Sequence, residues 1–114
     1  MSTKTKARGK APERLPNPHP GRLLLKYYLE PLGMTQAQLS QATGLPQSRI
    51  TELLKGRRGI TVDSAIRFAR VLGPHPQFWI GIQADYDMRE ALRARGDEYD
   101  KLKRYSMPET AAAA

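Results

Sequence analysis

The side chains best equipped for chemistry lie in one short stretch. Gln47, Ser48, Arg49, Thr51 and Glu52 are followed closely by Lys55, Arg57 and Arg58. Amides, hydroxyls and guanidinium groups in this order recognise rather than cleave. Arginine matches the paired acceptors of a guanine edge and glutamine the donor–acceptor pair of adenine, each worth about 1–3 kcal/mol of discrimination. Lys55, Arg57 and Arg58 crowd a loop with Gly56 and Gly59, and suit phosphates, which give affinity without sequence information. Glu52 can accept from cytosine or orient Arg49 from three residues away. Catalytic groupings are missing from the pattern. His19 and His75 sit in proline-flanked turns, and the chain has no Gly-rich phosphate loop, nucleophile motif or metal cluster. Zero cysteines exclude disulfides and thiolate metal sites. The expectation is a binding protein without cofactor or metal, not an enzyme.

Positioning these groups requires two short helices joined by a tight turn, over residues 35–56. Thr35 has the profile of an N-cap, and Gln38 three residues on completes a capping-box pattern. Leu39 anchors the first helix, and Ser40 is small enough for a close crossing. Gly44 ends it, because glycine takes positive φ without steric cost. Leu45 turns inward, and Pro46 suits the first position of the next helix. Ile50, Leu53 and Leu54 recur as one buried face. The polar residues named above are left at the opening of that helix. This is the pattern of a helix-turn-helix, whose second helix presents such residues to the DNA major groove.

The flanking chain completes an all-α domain of five helices with a C-terminal helical extension. Pro16, Pro18 and Pro20 delay any helix until the last of them. From Pro20 a first helix buries Leu25, Tyr28, Leu29 and Leu32, and Pro31 and Gly33 mark its end. His19 is a capping or packing residue. Thr61 caps a fourth helix, with Asp63 favourably placed in its first turn; Ala65, Phe68, Ala69 and Leu72 form its inward stripe, and Gly73 and Pro74 stop it. A fifth helix starts near Pro76 and runs to about Ala94, with Phe78, Trp79, Ile82 and Tyr86 inward. Beyond Tyr86 the apolar stripe thins to Met88, Ala91 and Leu92 among alternating charges. Gly96 interrupts the helix, and residues 97–105 add one or two turns. The expected divisions are a disordered basic arm over 1–15, a DNA-binding domain over 16–95 and a short helical or disordered tail over 96–114.

Charge supports a polyanionic partner. The 114 residues carry 19 basic and 11 acidic side chains, a net charge of +8. Five basic residues (Lys4, Lys6, Arg8, Lys10, Arg14) stand against Glu13 in the first fourteen positions, and eight against three over 15–84. Residues 85–104 balance at six of each sign. The excess therefore lies on the arm and the helix-turn-helix half. An arm of this kind can lie along phosphates, enter a minor groove or act as a solubilising tail. No apolar run approaches the roughly 20 residues that cross a membrane, and a cytoplasmic location is the default expectation.

Residues 19–91 resemble the HigA-type antitoxins of the Xre, or lambda-repressor-like, helix-turn-helix superfamily, also called VapI-like or plasmid-maintenance antidote proteins. The resemblance rests on His19-Pro20-Gly21, on Glu30-Pro31-Leu32-Gly33, on Gly59-Ile60-Thr61 with Asp63, and on Phe78-Trp79 through Gln83-Ala84-Asp85-Tyr86-Asp87. It implies a homodimer that binds a palindromic operator in double-stranded DNA and represses its own operon. It also implies a partner, a HigB-type toxin that cleaves messenger RNA and is neutralised by the antitoxin. By family position, Gln47, Ser48, Arg49 and Thr51 read base edges. Gln36 resembles the superfamily's phosphate anchor, and Lys55, Arg57 and Arg58 join it on the backbone. The alternative is a stand-alone Xre-family repressor without a toxin. An RNA-binding module is disfavoured, since only Tyr27, Tyr99 and Tyr105 are candidates for exposed stacking.

Overall fold

The computed structural model describes residues 17–108. The basic arm and the end of the C-terminal tail lie outside them. Five helices make up the described chain, and among the described residues there is no strand. Helix α1 comprises three consecutive segments, Pro20–Leu24, Leu25–Leu29 and Glu30–Leu32, the middle one a π-helical turn. Then follow α2 (Gln36–Thr43), α3 (Gln47–Leu54), α4 (Val62–Leu72) and α5 (Pro76–Asp100). α2 packs on α3 and α4, α1 on α3 and α5, and α4 on α5.

Local capping sets most of these boundaries. At α2 the Thr35 hydroxyl accepts from the Gln38 amide at 3.1 Å, and the Gln38 side chain accepts from the Thr35 amide at 2.8 Å. This is the reciprocal capping box. Gly44 closes the helix at φ 77°, where a Cβ would be strained. The Thr61 side chain accepts from the Ser64 amide at the start of α4. His75, expected only as a turn residue, caps α5 by accepting from the Phe78 amide at 3.2 Å. Pro46 sits one position earlier than expected. It is the extended N-cap of α3, and Gln47 is the first helical residue.

The core is built on Leu24, Leu29, Leu39, Leu45, Ile50, Leu53, Ile60, Ala65, Phe68 and Trp79. Trp79 is fully buried, with ring centroids of Tyr28 and Phe78 at 5.0 Å and Phe68 at 5.4 Å. Its indole N–H donates to the Gly73 carbonyl at 2.9 Å, so burial leaves no donor unpaired. Thr43, at the buried end of α2, uses its hydroxyl twice. It donates to the Leu39 carbonyl at 2.7 Å and accepts from the Leu45 amide at 3.2 Å, which ties the end of α2 to the turn.

One expectation is corrected. In α1, Leu25 and Leu32 face outward, at 37% and 60% exposure, whereas Leu24 and Leu29 are buried. Five residues separate Leu24 from Leu29, which a regular α-helix would set about 140° apart. The π turn from Leu25 to Leu29 takes up the extra residue and brings both to the core. α5 breaks where expected: its regular run ends at Arg95 (φ −133°, ψ 22°), next to Gly96, and a further short helical segment continues to Asp100, after which the chain is irregular to residue 108. No helix among the described residues is long and apolar enough to cross a membrane.

Candidate nucleic-acid interface

Helix α3 is amphipathic in a way that fixes which side chains are available. Ile50 and Leu53 are buried, and Leu54 is half-buried against the core. Gln47 and Ser48 are exposed at its start, and Arg49, Thr51 and Glu52 are partly exposed. No side chain caps its N-terminus. Arg49 makes no hydrogen bond or ion pair with the described residues.

The turn between α2 and α3 brings Gln36 to this helix. The Thr51 hydroxyl donates to Gln36 Oε1 at 2.7 Å, joining a base-edge candidate to a phosphate candidate. Ser40 supports the same turn by donating to the Leu45 carbonyl at 2.6 Å. From α4, Arg67 reaches back across the domain. Its Nη1 donates to the Thr43 carbonyl at 2.8 Å, and its Nε pairs with Asp63 at 2.9 Å.

Lys55, Arg57 and Arg58 are all exposed in the loop after α3. Glu52 pairs with Arg57 at 3.7 Å and so faces this loop, not Arg49 as helical spacing allows. The loop is held from behind. Gln83 of α5 accepts from the Ile60 amide at 2.8 Å and donates to Asp87 at 3.0 Å. A Cβ at Gly59 would meet the Gln83 amide at 3.0 Å, so glycine lets the loop approach this closely.

The start of α1 closes the same region. His19 Nδ1 accepts from the Gly21 amide at 2.9 Å, and its ring meets Tyr86 edge-on at 4.9 Å. A Cβ at Gly56 would lie 3.7–3.9 Å from the His19 side chain. Burial pushes the His19 imidazole below its ordinary value of 6.5, and Asp87 partly opposes that shift. A Cβ on Gly21 would fall 2.0 Å from the Leu53 carbonyl oxygen, so α1 crosses α3 at backbone contact. The His19-Pro20-Gly21, Gly59-Ile60-Thr61 and Gln83–Asp87 segments are thus one bracket behind α3. Asn17, not singled out from the sequence, joins it through bonds to α5. No signal local to Asn17 announces a contact across 73 residues.

Residues 25–79 match the helix-turn-helix family. Virulence-associated protein I of Dichelobacter nodosus is 39% identical over 77 residues, which span 68% of this chain and 71% of that protein. An addiction module antidote protein of the HigA family from Coxiella burnetii is 33% identical with a TM-score of 0.74. That match covers 80% of this chain and all of the Coxiella chain. The chain belongs to the HigA antitoxin family of helix-turn-helix proteins. Its five-helix architecture is the HigA architecture. The antitoxin HigA of Pseudomonas aeruginosa, solved with the higBA promoter, is 26% identical with a TM-score of 0.74, covering 80% of this chain and 100% of that one. The HigA family is one of DNA-binding regulators, not of enzymes.

Proposed function

We propose that this protein is the antitoxin of a type II toxin–antitoxin pair, that it binds a palindromic operator as a homodimer and represses its own operon, and that it neutralises a HigB-type toxin that cleaves messenger RNA. The observation that carries the DNA reading is the opening of α3. Gln47 and Ser48 stand exposed there, and the Arg49 guanidinium is uncommitted beside them. Hydrogen-bonding groups left unsatisfied by the fold are the ones able to read base edges. Gln47, Ser48 and Arg49 are assigned to the bases, and Gln36, Lys55, Arg57 and Arg58 to phosphates; Thr51, a base-edge candidate by sequence, has its hydroxyl donor engaged by Gln36 and is assigned to positioning that residue. In a two-fold dimer the paired α3 helices enter successive major grooves about 34–36 Å apart. The promoter-bound Pseudomonas HigA supports this assignment.

The test is a salt series of binding to the DNA upstream of the gene, against a scrambled duplex of equal length. Operator recognition predicts a preference of about 10³ or more that persists as salt rises. Equal binding to both duplexes, falling together with salt, would remove the repressor assignment. Co-expression with the neighbouring reading frame tests the toxin half. Growth arrest by that frame, relieved by this chain, supports it. An innocuous neighbour leaves a stand-alone repressor.

A further inference from the structure

The loop after α3 carries three cations within four residues, Lys55, Arg57 and Arg58, and like charges this close push one another apart. Phosphate contacts need them held in one place. The first half of the loop is held by the end of α3. The Lys55 amide donates to the Thr51 carbonyl at 3.0 Å, the Gly56 amide to Leu53 at 3.0 Å and the Arg57 amide to Glu52 at 2.9 Å. The second half, from Arg58 to Ile60, makes no backbone–backbone hydrogen bond among the described residues. The Ile60 amide is taken instead by a side chain 23 residues on, Gln83 Oε1 of α5, at 2.8 Å. Ile60 is buried, so its amide depends on that acceptor.

A glutamine amide has an acceptor at one end and donors at the other, and only the acceptor suits an N–H. Asp87, one helical turn further along α5, sets which end faces the loop. It accepts from Gln83 Nε2 at 3.0 Å, and an ionised carboxylate can only accept, so Oε1 is left for Ile60.

We propose that Gln83, oriented by Asp87, is a positioning residue for DNA binding, which fixes the second half of the loop so that Arg57 and Arg58 meet backbone phosphates. The inference rests on the assignment of this loop to phosphates above. Two features separate the role from packing. Gln83 lies outside the hydrophobic core, and its pairing with Asp87 is an exposed contact between residues four apart on a helix, of a kind that adds little to stability. The bond also falls where it governs the arginines. Immediately after Ile60, Thr61 caps α4. Arg57 and Arg58 therefore stand between one anchor at the end of α3 and a second at Ile60. Without the second anchor, repulsion among the three cations is free to spread the loop.

The experiment uses the full chain and a salt series of binding to the upstream duplex and to a scrambled duplex of equal length. The slope of affinity against salt counts neutralised phosphates, at about 0.9 for each. A partly unfolded sample lowers the apparent affinity without changing that count. Gln83→Met keeps length and charge but loses the acceptor. It is expected to bind both duplexes about tenfold more weakly, with a slope reduced by about 0.9–1.8, one or two phosphates. Gln83→Glu together with Asp87→Asn keeps the net charge and rebuilds the brace in reverse, because a carboxylate at position 83 accepts both from Ile60 and from the new amide at 87. This pair is expected to recover the wild-type slope. Arg57→Ala with Arg58→Ala measures the share of the loop, and Gln83→Met added to it should lower the slope no further. An unchanged slope in Gln83→Met, even with a lower Tm, would make Gln83 a packing residue and overturn the proposal. Failure of the charge-exchanged pair to recover the slope would overturn it as well, and so would a further loss on top of the arginine pair. Equal binding of the wild-type chain to the two duplexes would remove the operator reading, while the slopes would still decide the role of Gln83.

Discussion

The Thr51 hydroxyl donates a 2.7 Å hydrogen bond to the side-chain carbonyl of Gln36, fifteen residues earlier and on the other helix of the motif. With Oε1 engaged, the Gln36 amide group keeps its two N–H donors directed away from Thr51, as a phosphate contact requires. The one donor proton of Thr51 is committed to that bond. Thr51→Val is therefore expected to weaken binding to operator and random DNA alike, by about three- to tenfold, the worth of about one hydrogen bond. Gln36→Ala should then add less than its own separate effect, because the two groups act as a unit. A double-mutant cycle on DNA affinity measures this. Additive losses, with operator preference lost in Thr51→Val, would return Thr51 to the base-reading set.

Arg49 is the residue on which sequence preference should depend most. It has no partner among the described residues, so its guanidinium can engage a base edge without breaking an internal bond. Arg49→Ala is expected to cost about 1–3 kcal/mol on the operator and much less on a scrambled duplex. Equal losses on both would show that Arg49 touches only the backbone.

The capping chemistry of the helix-turn-helix is legible in the sequence because it is local. Thr35 and Gln38 are three residues apart, and Gly44 announces its own conformation. The phase of α1 is not legible. A 3.6-residue period selects Leu25 and Leu32, and only a π turn lets Leu24 and Leu29 share a face. The pairing of Glu52 escapes sequence reasoning for a related cause. Helical spacing favours Arg49, but the chain folds back after Leu54 and brings Arg57 to it. The bracket of Asn17, His19, Gln83 and Asp87 depends on contacts across the whole chain. In the sequence its glycines and Gln83 stand only as family signatures, without the close approaches that explain them.

On the proposed assignment of Arg57 to phosphates, Glu52 competes with DNA for it. The pair is 3.7 Å apart and well exposed, so it contributes little to stability. Its effect on binding is larger, because a carboxylate beside a phosphate-facing cation repels the backbone. Glu52→Gln is expected to tighten binding to operator and random duplexes together, several-fold at low salt and less as salt rises. Loss of operator preference in this variant would instead identify Glu52 as a base contact.

The His19 cap makes stability depend on pH in a defined direction. Burial lowers its folded-state pKa below 6.5, so the folded chain favours the neutral ring, whose Nδ1 accepts from the Gly21 amide. Below about pH 6.5 the unfolded chain binds the proton more readily, and stability falls as pH drops through the folded-state value. The contribution is complete above about pH 6.5. Urea unfolding from about pH 7.5 down to 5 should show this decline in the wild-type chain. His19→Asn can still cap without titrating, and should flatten it. Parallel profiles for the two proteins would remove His19 as the cause.

Gly21 and Gly59 should respond very differently to a methyl group. At Gly21 the new Cβ meets the Leu53 carbonyl oxygen at 2.0 Å and its carbon at 2.8 Å, both backbone atoms of α3 that cannot turn aside. Relief requires α1 to move off α3. Gly21→Ala is therefore expected to cost about 3 kcal/mol, the upper end of overpacking losses. For a domain of this size that is a fall in Tm of roughly 10–20 °C. At Gly59 the Cβ meets only the amide end of Gln83, at 3.0 Å, and a side chain can swing away. Gly59→Ala should cost under about 1 kcal/mol. Its larger consequence is the loosening of the Gln83 bond to the Ile60 amide, and with it the loop that carries Arg57 and Arg58. Thermal unfolding followed by circular dichroism ranks the two variants, and DNA titration separates their causes. A Gly21→Ala protein that melts with the wild type would mean that α1 and α3 do not meet at backbone contact.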